Sequence, residues 1–262
     1  MTPSPAAPTV HLSLVIPVYN EGRRIPQTLP QILDFLNSRP QRSEALLVDD
    51  GSTDHTAELA QSLCPPGAPV RLLRHPANRG KGAAVRTGML AAQGEYLLFS
   101  DADLSSPLSE ADRLLGPLQE GYDVVIGSRA LRREWITVRQ SPLRETAGKI
   151  FNLLLRRITG LNFQDTQCGF KAFRRRAAQA IFSAQTIPGF GFDAEILYLA
   201  QKFGYRSLEV PVHWAHSEGT KVHMIRDSFR MFSDLVRIRW NDWRGRYRLP
   251  AGKAPGNGPP PG

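Results

Sequence analysis

This chain of 262 residues has few cysteines, no long apolar run and no acidic excess. Its two cysteines, Cys64 and Cys168, stand in unlike contexts, which argues against a disulfide framework, and neither has neighbours at zinc-ligand spacing. No apolar run approaches the roughly 18 residues that a membrane-spanning helix needs. The first ten residues, MTPSPAAPTV, lack the charged and apolar parts of a secretory signal. These absences predict a cytoplasmic protein with reduced thiols.

The positive charge is concentrated in one part of the chain. Residues 129–176 contain twelve Lys and Arg against three acidic residues, which accounts for the whole net charge of +9. A basic block of this kind favours an anionic partner such as a phosphate-rich ligand, a membrane surface or a nucleic acid. The alternative is a solubilising face with no specific partner.

The first half of the chain alternates short apolar strands with helices. Strands are predicted at residues 12–18, 45–50, 70–74, 96–100 and 122–127, and helices at 25–36, 54–63, 80–93 and 109–119. Ser52 or Thr53 is the expected N-cap of the second helix. This order predicts an α/β fold with a mostly parallel, Rossmann-like sheet flanked by helices on both faces. Ligands of such sheets bind beyond the carboxyl ends of the strands.

The second half is less regular. Helices are predicted at residues 145–157, 192–203 and 221–240, and strands at 170–173 and 208–212. We expect one domain with two functional halves, residues 10–128 and 129–249. The Pro- and Gly-rich end at residues 250–262 and the first nine residues, 1–9, are predicted to be disordered tails.

Two carboxylates follow the predicted strand at residues 96–100, in the sequence LLFSDADLSSP. Side chains two positions apart on an extended segment point the same way, so Asp101 and Asp103 can converge on one cation. Hard ions such as Mg²⁺ or Mn²⁺ are commonly held by one or two carboxylates together with substrate phosphate oxygens. The alternative is an Asx turn with solvated aspartates.

Two further motifs stand at equivalent strand ends. LLVDDGSTD (Leu46–Asp54) ends a strand with a second acidic pair, which could accept from a nucleobase or ribose, although a turn and a helix cap would use the same residues. NRGKGAAVRTG (Asn78–Gly88) opens a helix with Gly-Lys-Gly, which suits close approach of phosphate. Its partial dinucleotide fingerprint lies on the third strand–helix unit, which argues against a dehydrogenase.

These motifs occur in an order that resembles a known family. The chain is similar to family 2 glycosyltransferases of the GT-A fold, and most of all to the dolichyl-phosphate β-glucosyltransferase group, with dolichyl-phosphate mannosyltransferases as neighbours. The resemblance covers about residues 12–248 and rests on VIPVYNE, VDDGSTD, NRGKGAAVRTGM, SDADLS, GSR, DTQCGFK, FDAEIL and EVPVHW…EGTKV. It implies an inverting transfer of a sugar, glucose from UDP-glucose above others, to a polyprenyl phosphate, with divalent Mg or Mn.

The resemblance also implies roles for individual residues. Those lining the nucleotide-sugar pocket would be Pro17, Tyr19, Glu21, Val48 and Asp50. Those around the diphosphate would be Lys81, Asp101, Ala102, Asp103, Arg129 and Lys221, with Asp101 and Asp103 as metal ligands. Asp165 would act as a base or orient the acceptor, and an acceptor phosphate that is already ionised favours orientation. Residues 10–128 would bind the nucleotide sugar and residues 129–249 the acceptor.

Several alternatives remain open at this point. The mannosyltransferase group carries an Arg six residues before the loop Lys, where this chain has Ala215, so UDP-glucose is favoured over GDP-mannose. A saccharide acceptor and a basic nucleic-acid-binding module are further possibilities, but the module would leave the acidic strand ends unexplained. The last helix combines apolar residues, Arg and Trp, which suits either core packing or a membrane interface. We therefore expect a peripheral enzyme at the inner face of the membrane.

Overall fold

The computed structural model describes residues 10–138, 153, 155–215 and 224–249. The predicted tails and most of the predicted helix at 145–157 lie outside these ranges, although residues 155–159 are helical. The strands are β1 (Val10–Val18), β2 (Ser43–Asp49), β3 (Val70–Arg74), β4 (Gly94–Ser100), β5 (Val124–Ser128), β6 (Ile136–Val138), β7 (Phe170–Arg174), β8 (Ser207–Pro211) and β9 (Trp214–Ala215).

Seven strands form one sheet in the order β3-β2-β1-β4-β7-β5-β8, and β6 pairs with β9 separately. Strand β7 runs antiparallel to both of its neighbours, while the other pairings in the large sheet are parallel. The predicted mostly parallel sheet is therefore confirmed. The strand order reverses direction around β1 and β4, which is where open α/β sheets bind their ligands.

Helices cover both faces of this sheet. They are α1 (Ile25–Ser38), α2 (Thr56–Ser62), α3 (Lys81–Ala91), α4 (Ala111–Gln119), α5 (Arg175–Ala184), α6 (Phe192–Lys202) and α7 (Met224–Trp243). Alternation along β1 sends Leu14 and Ile16 into a core with α1, α2 and α4. Val15 points to the opposite core, which α3, α5, α6 and α7 complete.

Most element boundaries differ from the sequence predictions by one to three residues, and one helix was not predicted. Helix α2 begins at Thr56, and neither Ser52 nor Thr53 caps it, because Ser52 Oγ instead accepts the Asn20 N–H at 2.8 Å. Helix α5 was missed because it follows β7 without a turn between them, so no breaker residue marks its start. Helix α7 continues three residues past its predicted end, to Trp243. Within the described ranges, no helix combines the length and the apolar character that crossing a bilayer requires.

Candidate active site

The end of β4 places the Asp101 carboxylate against a glycine. The Asp101 N–H donates to Gly169 O at 3.1 Å, which joins the two segments. A Cβ atom at Gly169 would lie 1.9 Å from Asp101 Oδ2, far inside van der Waals contact. Only glycine is therefore compatible with this position of the carboxylate, and Oδ2 is covered on that side by the backbone at Gly169.

Asp103 forms the Asx turn that the sequence offered as the alternative to a cation site. Its Oδ1 accepts the Ser105 N–H at 3.0 Å, which is an Asx turn. Leu104 between them has a φ of 47°, in the left-handed region, and its N–H donates to Asp101 O. The Asp103 side chain stays partly exposed. The turn thus fixes the backbone while leaving Asp103 accessible to a ligand.

Lys81, the first residue of α3, reaches the same turn. Its Nζ lies 2.7 Å from Asp101 Oδ1 and 5.5 Å from the centre of the Phe99 ring. Burial alone would lower the pKa of Lys81, but the negative charges of Asp101 and Asp193 outweigh it and raise that pKa. Lys81 is therefore charged at neutral pH, and it is paired with the carboxylate that was predicted to hold a metal.

Asp50 holds the loop that positions Lys81. Its carboxylate accepts the N–H of Arg79 at 3.0 Å and of Gly80 at 2.8 Å, and it lies 2.7 Å from His75 Nδ1. Gly80 has a φ of 103°, which side chains other than glycine rarely adopt. Asp50 was predicted to line the nucleotide pocket, and in the structure it is almost fully buried and occupied with backbone donors.

The other residues predicted for the nucleotide pocket lie one strand away, at the ends of β1 and β2. Tyr19 is exposed, Pro17 is half-buried, and Glu21 forms an ion pair with Arg24 at 2.5 Å. Val48 requires a correction, because its side chain is fully buried in the core. Only backbone atoms of Val48 could face a nucleotide.

The first two loops of this edge are tied to each other. Asn20 Oδ1 accepts the Thr53 N–H at 2.9 Å, and the Gly22 N–H donates to Asp54 Oδ2 at 3.1 Å. Beyond β2 and β3 lies an open cleft of about 470 Å³ that is lined by Gly51, Ser52, Thr53, Arg74, His75 and Pro76. The DDGSTD segment, which is hydrogen-bonded to the loop after β1, therefore forms one polar side of this cleft.

Arg129 and Asp165 form a bidentate pair beyond β5. The guanidinium Nε and Nη2 donate to the two carboxylate oxygens at 2.6 and 2.7 Å, and the Arg129 N–H adds a bond of 3.0 Å. Burial would raise the pKa of Asp165, but the charge and hydrogen bonds of Arg129 outweigh it and hold that pKa below its usual range. A carboxylate with a lowered pKa is a weak base. Asp165 is therefore better suited to orienting Arg129 than to accepting a proton.

A buried ion pair that sequence reasoning missed lies behind these groups. Lys171 is fully buried in the middle of β7, and its Nζ donates to Asp193 and, at 2.5 Å, to Cys168 O. Burial raises the pKa of Asp193 in spite of the nearby Lys171 and Lys81 charges. Lys171 stands in DTQCGFK and Asp193 in FDAEIL, two of the motifs that carried the family resemblance. Their presence in those motifs was the signal in the sequence that could have identified them.

Seven residues thus form what we call the charged cluster: Lys81, Asp101, Asp103, Arg129, Asp165, Lys171 and Asp193. In the described part of the chain, no three His, Cys, Asp or Glu side chains converge as a complete metal site. The two carboxylates of the Asp101–Asp103 turn, one of them already holding an ammonium group, fit a hard ion that takes its other ligands from phosphates and water. Ala102, between them, is nearly buried.

Lys221 lies outside the described residues. The chain approaches that segment beside the Asp101–Asp103 turn, because the N–H of Ala215 donates to Ser105 O at 2.9 Å. Trp214, next to it, lies under the Arg129 guanidinium with 5.4 Å between the guanidinium carbon and the ring centre. Strand β9 therefore contacts both the loop after the Asp101–Asp103 turn and Arg129.

Comparison with known proteins gives a consistent result. Residues 13–182 match the model of the family described as glycosyl transferase family 2. A dolichyl-phosphate beta-glucosyltransferase of Dictyostelium discoideum is 35% identical over 252 residues, covering 92% of this chain and 77% of that protein. The proteins of the same description from Homo sapiens and Saccharomyces cerevisiae are 34% and 36% identical, covering 93% and 91% of this chain and 79% and 77% of those proteins.

Solved structures share the fold. A glucosyl-3-phosphoglycerate synthase from Mycobacterium tuberculosis, in complex with Mn²⁺, UDP-glucose and phosphoglyceric acid, superposes with a TM-score of 0.63 at 20% identity over 93% of this chain and 81% of that one. A mannosyl-3-phosphoglycerate synthase from Rubrobacter xylanophilus gives 0.61 at 22% identity over 94% and 79%.

Proposed function

This chain belongs to glycosyltransferase family 2, and from that premise we propose that it transfers glucose from UDP-glucose to a polyprenyl phosphate with inversion at the anomeric carbon. The observation that carries the proposal is that two paired cations lie near one acidic turn, Lys81 in contact with Asp101 and Arg129 within electrostatic reach of it. Lys81 and Arg129 are each paired with a carboxylate, Asp101 and Asp165, at the same edge of the sheet. Two fixed cations beside a partly exposed carboxylate suit a diphosphate that departs with negative charge.

The reaction needs little proton transfer. An oxygen of the acceptor phosphate forms a bond to the anomeric carbon as the bond from that carbon to the UDP oxygen breaks, and UDP leaves with the electron pair. The acceptor phosphate is ionised at neutral pH, so no strong base is required. Holding both reactants in line, with the leaving charge stabilised, supplies most of the rate enhancement.

Five residues of the charged cluster have a proposed part in this transfer. Lys81 and Arg129 would bind the diphosphate and the acceptor phosphate, and Asp165 would hold Arg129 in position. Asp101 and Asp103 would hold a divalent ion, Mg²⁺ or Mn²⁺, which when bound neutralises charge on the leaving diphosphate. Lys221 would add a further cation. Residues 10–128 would bind the donor and residues 129–249 the acceptor.

The donor assignment has two supports. Several relatives at 34–36% identity are named dolichyl-phosphate beta-glucosyltransferases, and a structure with the same fold contains UDP-glucose. In addition, this chain has Ala215 where the resembling mannosyltransferases carry an Arg. Purified protein would be incubated with labelled UDP-glucose or GDP-mannose, Mn²⁺ or Mg²⁺, and a short polyprenyl phosphate. We expect a labelled lipid from UDP-glucose that EDTA abolishes, and transfer from GDP-mannose alone would overturn the donor assignment.

The outer face of α7 supports the proposal of a lipid acceptor at a membrane surface. The buried side of the helix, with Leu235, Ile238 and Asn241, packs into the protein. The large exposed apolar residues repeat on the opposite side at helical spacing, and they are Phe232 (42%), Val236 (52%), Trp240 (48%) and Trp243 (77%). Exposed arginines accompany them at positions 237, 239, 244, 246 and 248.

This combination of a protruding Trp pair and flanking arginines matches an anionic lipid surface, because Trp favours the headgroup region and Arg the anionic headgroups. Replacing Trp240 and Trp243 together with Ser should reduce co-sedimentation with vesicles that contain anionic lipid. Leu63→Ser provides the control, since Leu63 is a comparably exposed apolar residue (41%) at the end of α2. Equal partitioning of the Trp variant and the unmodified protein would exclude α7 as the docking face.

A further inference from the structure

Phe190 is an exposed aromatic residue beside the charged cluster, and it has no part in the proposed transfer. It is 40% exposed. The centre of its ring lies 6.0 Å from Lys81 Nζ, and that ammonium is 2.7 Å from Asp101 Oδ1. Ligand sites combine a few charged groups with apolar and aromatic side chains. The ring of Phe190 therefore stands where it can contact an apolar part of a substrate whose phosphate is bound by Lys81.

The loop that carries Phe190 packs against the start of α3 on one side. Pro188 O accepts the N–H of Ala83, in the first turn of that helix, at 3.1 Å. A Cβ atom at Gly80 would lie only 2.5 Å from the same oxygen, so the two segments touch through their backbones. The backbone of the loop is therefore fixed relative to the end of the helix that carries Lys81.

A buried carboxylate holds the residues that precede this loop. Glu195 is fully buried, and its Oε1 accepts the Thr186 N–H at 2.9 Å and the Tyr247 hydroxyl at 2.6 Å. Its Oε2 accepts the Ile187 N–H at 2.8 Å. Moving the loop away would leave a buried charge without these partners, which is costly. The protein therefore presents Phe190 at a set place beside the charged cluster.

The other side of the loop packs on α7, the helix whose outer face is proposed to meet lipid. A Cβ atom at Gly191 would overlap the carboxylate of Asp234, which belongs to α7. A lipid acceptor must bring its phosphate to Lys81 and Arg129 while the rest of its hydrocarbon chain stays on the membrane side. Because the loop lies between Lys81 and α7, the chain next to the phosphate would pass the ring of Phe190.

We propose that Phe190 binds the isoprene unit next to the acceptor phosphate and is a specificity-determining residue for the lipid. An isoprene unit is apolar and flat around its double bond, so it can lie on an aromatic ring and remove apolar area of both from water. This inference rests on the proposed function for the identity of the acceptor. It goes further in naming a residue that recognises the lipid part of that acceptor. The C–H groups of the donor sugar are the competing occupant, and the packing of the loop on α7 favours the lipid.

The test measures kcat and KM for a short polyprenyl phosphate and for UDP-glucose with Phe190→Ala. We expect the KM for the polyprenyl phosphate to rise by about fivefold to tenfold, since apolar area that the ring covers would stay in water. The kcat and the KM for UDP-glucose should change by less than about twofold, because the ring contact is equally present in the ground state and the transition state. Phe190→Tyr retains the ring and should restore the KM of the unmodified protein.

Leu63→Ala is the matched control, because Leu63 has nearly the same exposure, 41%, and lies at the end of α2 outside the charged cluster. It should leave both KM values unchanged, and thermal melting shows that each variant is folded. An unchanged KM for the polyprenyl phosphate in folded Phe190→Ala would overturn the lipid contact alone. An equal or larger rise in the KM for UDP-glucose would place the ring against the donor and overturn the lipid contact as well. Absence of transfer to any polyprenyl phosphate by the unmodified protein would contradict the proposed function itself, and the lipid contact with it.

Discussion

Two acidic turns of the same sheet edge look alike in sequence and differ in structure. At the end of β2, Asp49 Oδ1 accepts the Ser52 N–H at 2.9 Å, and Asp50 accepts two backbone N–H groups besides its contact with His75. At the end of β4, Asp101 Oδ1 lies 2.7 Å from the ammonium of Lys81, and Asp103 Oδ1 accepts the N–H of Ser105 at 3.0 Å. The two carboxylates of the first turn are also almost fully buried, while those of the second are partly exposed.

The partners of each turn decide what it can do. A carboxylate bound by backbone N–H groups is locked, because releasing it would leave those buried donors without partners. A carboxylate bound by a lysine side chain can exchange that cation for another one. We therefore propose that the turn after β2 serves as scaffold and that the turn after β4 serves ligands. The two are connected, since Asp50 fixes the backbone from which Lys81 reaches Asp101.

The sharpest test of this comparison is Asp103→Asn. If the second turn serves ligands, removal of this charge should lower kcat/KM for sugar transfer by about 10³-fold or more, because several kcal/mol of charge stabilisation are lost. The Asx turn can persist, since the Asn oxygen can still accept the Ser105 N–H, so the melting temperature should change little. Asp112→Asn, at an exposed ion pair with Arg39, is the control and should transfer normally. Undiminished turnover by Asp103→Asn would contradict the ligand role.

The next largest effect is expected behind the second turn, at the Lys171–Asp193 pair. Lys171→Met leaves Asp193 as an unpaired buried charge and removes the donor to Cys168 O, so unfolding free energy should fall by about 3–5 kcal/mol. Urea titration measures this loss. Combining Lys171→Met with Asp193→Leu removes both charges, and the double variant should be more stable than Lys171→Met alone.

A double variant that recovers stability but still transfers poorly would show that the pair positions the Cys168–Gly169 turn against Asp101. A double variant with normal transfer would limit the pair to folding. If Lys171→Met were as stable as the unmodified protein, the burial of this pair in the structure would be contradicted.

A smaller effect is expected from Asp50→Asn in the first turn. Asn keeps one acceptor oxygen but cannot satisfy both N–H groups and His75 as the carboxylate does, so we expect a loss of about 1–3 kcal/mol in unfolding free energy. Because Lys81 would be less well placed, the KM for UDP-glucose should rise more than kcat falls. A collapse of kcat with unchanged stability would place Asp50 with the ligand-binding carboxylates and break the comparison.

Much of this arrangement could be predicted from local sequence. Apolar runs located five strands of the first half, and the carboxyl ends of parallel strands share an edge, so the acidic turns were expected near one cleft. The strand at Val70–Arg74 was predicted with its observed bounds. The family resemblance supplied the class of enzyme, which the comparisons confirm.

The partners of the charges could not be predicted locally. Lys171 and Asp193 are 22 residues apart on a strand and a helix, and only the packing of α6 against the sheet brings them together. The sequence also could not separate the roles of Asp50 and Asp101, because each follows an apolar strand and stands in a polar turn. That separation depends on a tertiary contact, the return of the Arg79–Gly80 backbone onto Asp50.

The mildest probe of the comparison is cysteine labelling of the turn that packs on Asp101. Cys168 is buried, and burial, followed by the charge of Asp165, raises the pKa of its thiol to about 12. At pH 8 only about one thiol in 10⁴ would be ionised, so it should resist a disulfide reagent in the folded protein. Cys64 is partly exposed and should react. One thiol should therefore titrate before unfolding and two after it. Rapid reaction of both in the folded protein would mean that the Cys168–Gly169 segment does not pack against the second acidic turn, and the contact between Gly169 and Asp101 would be contradicted.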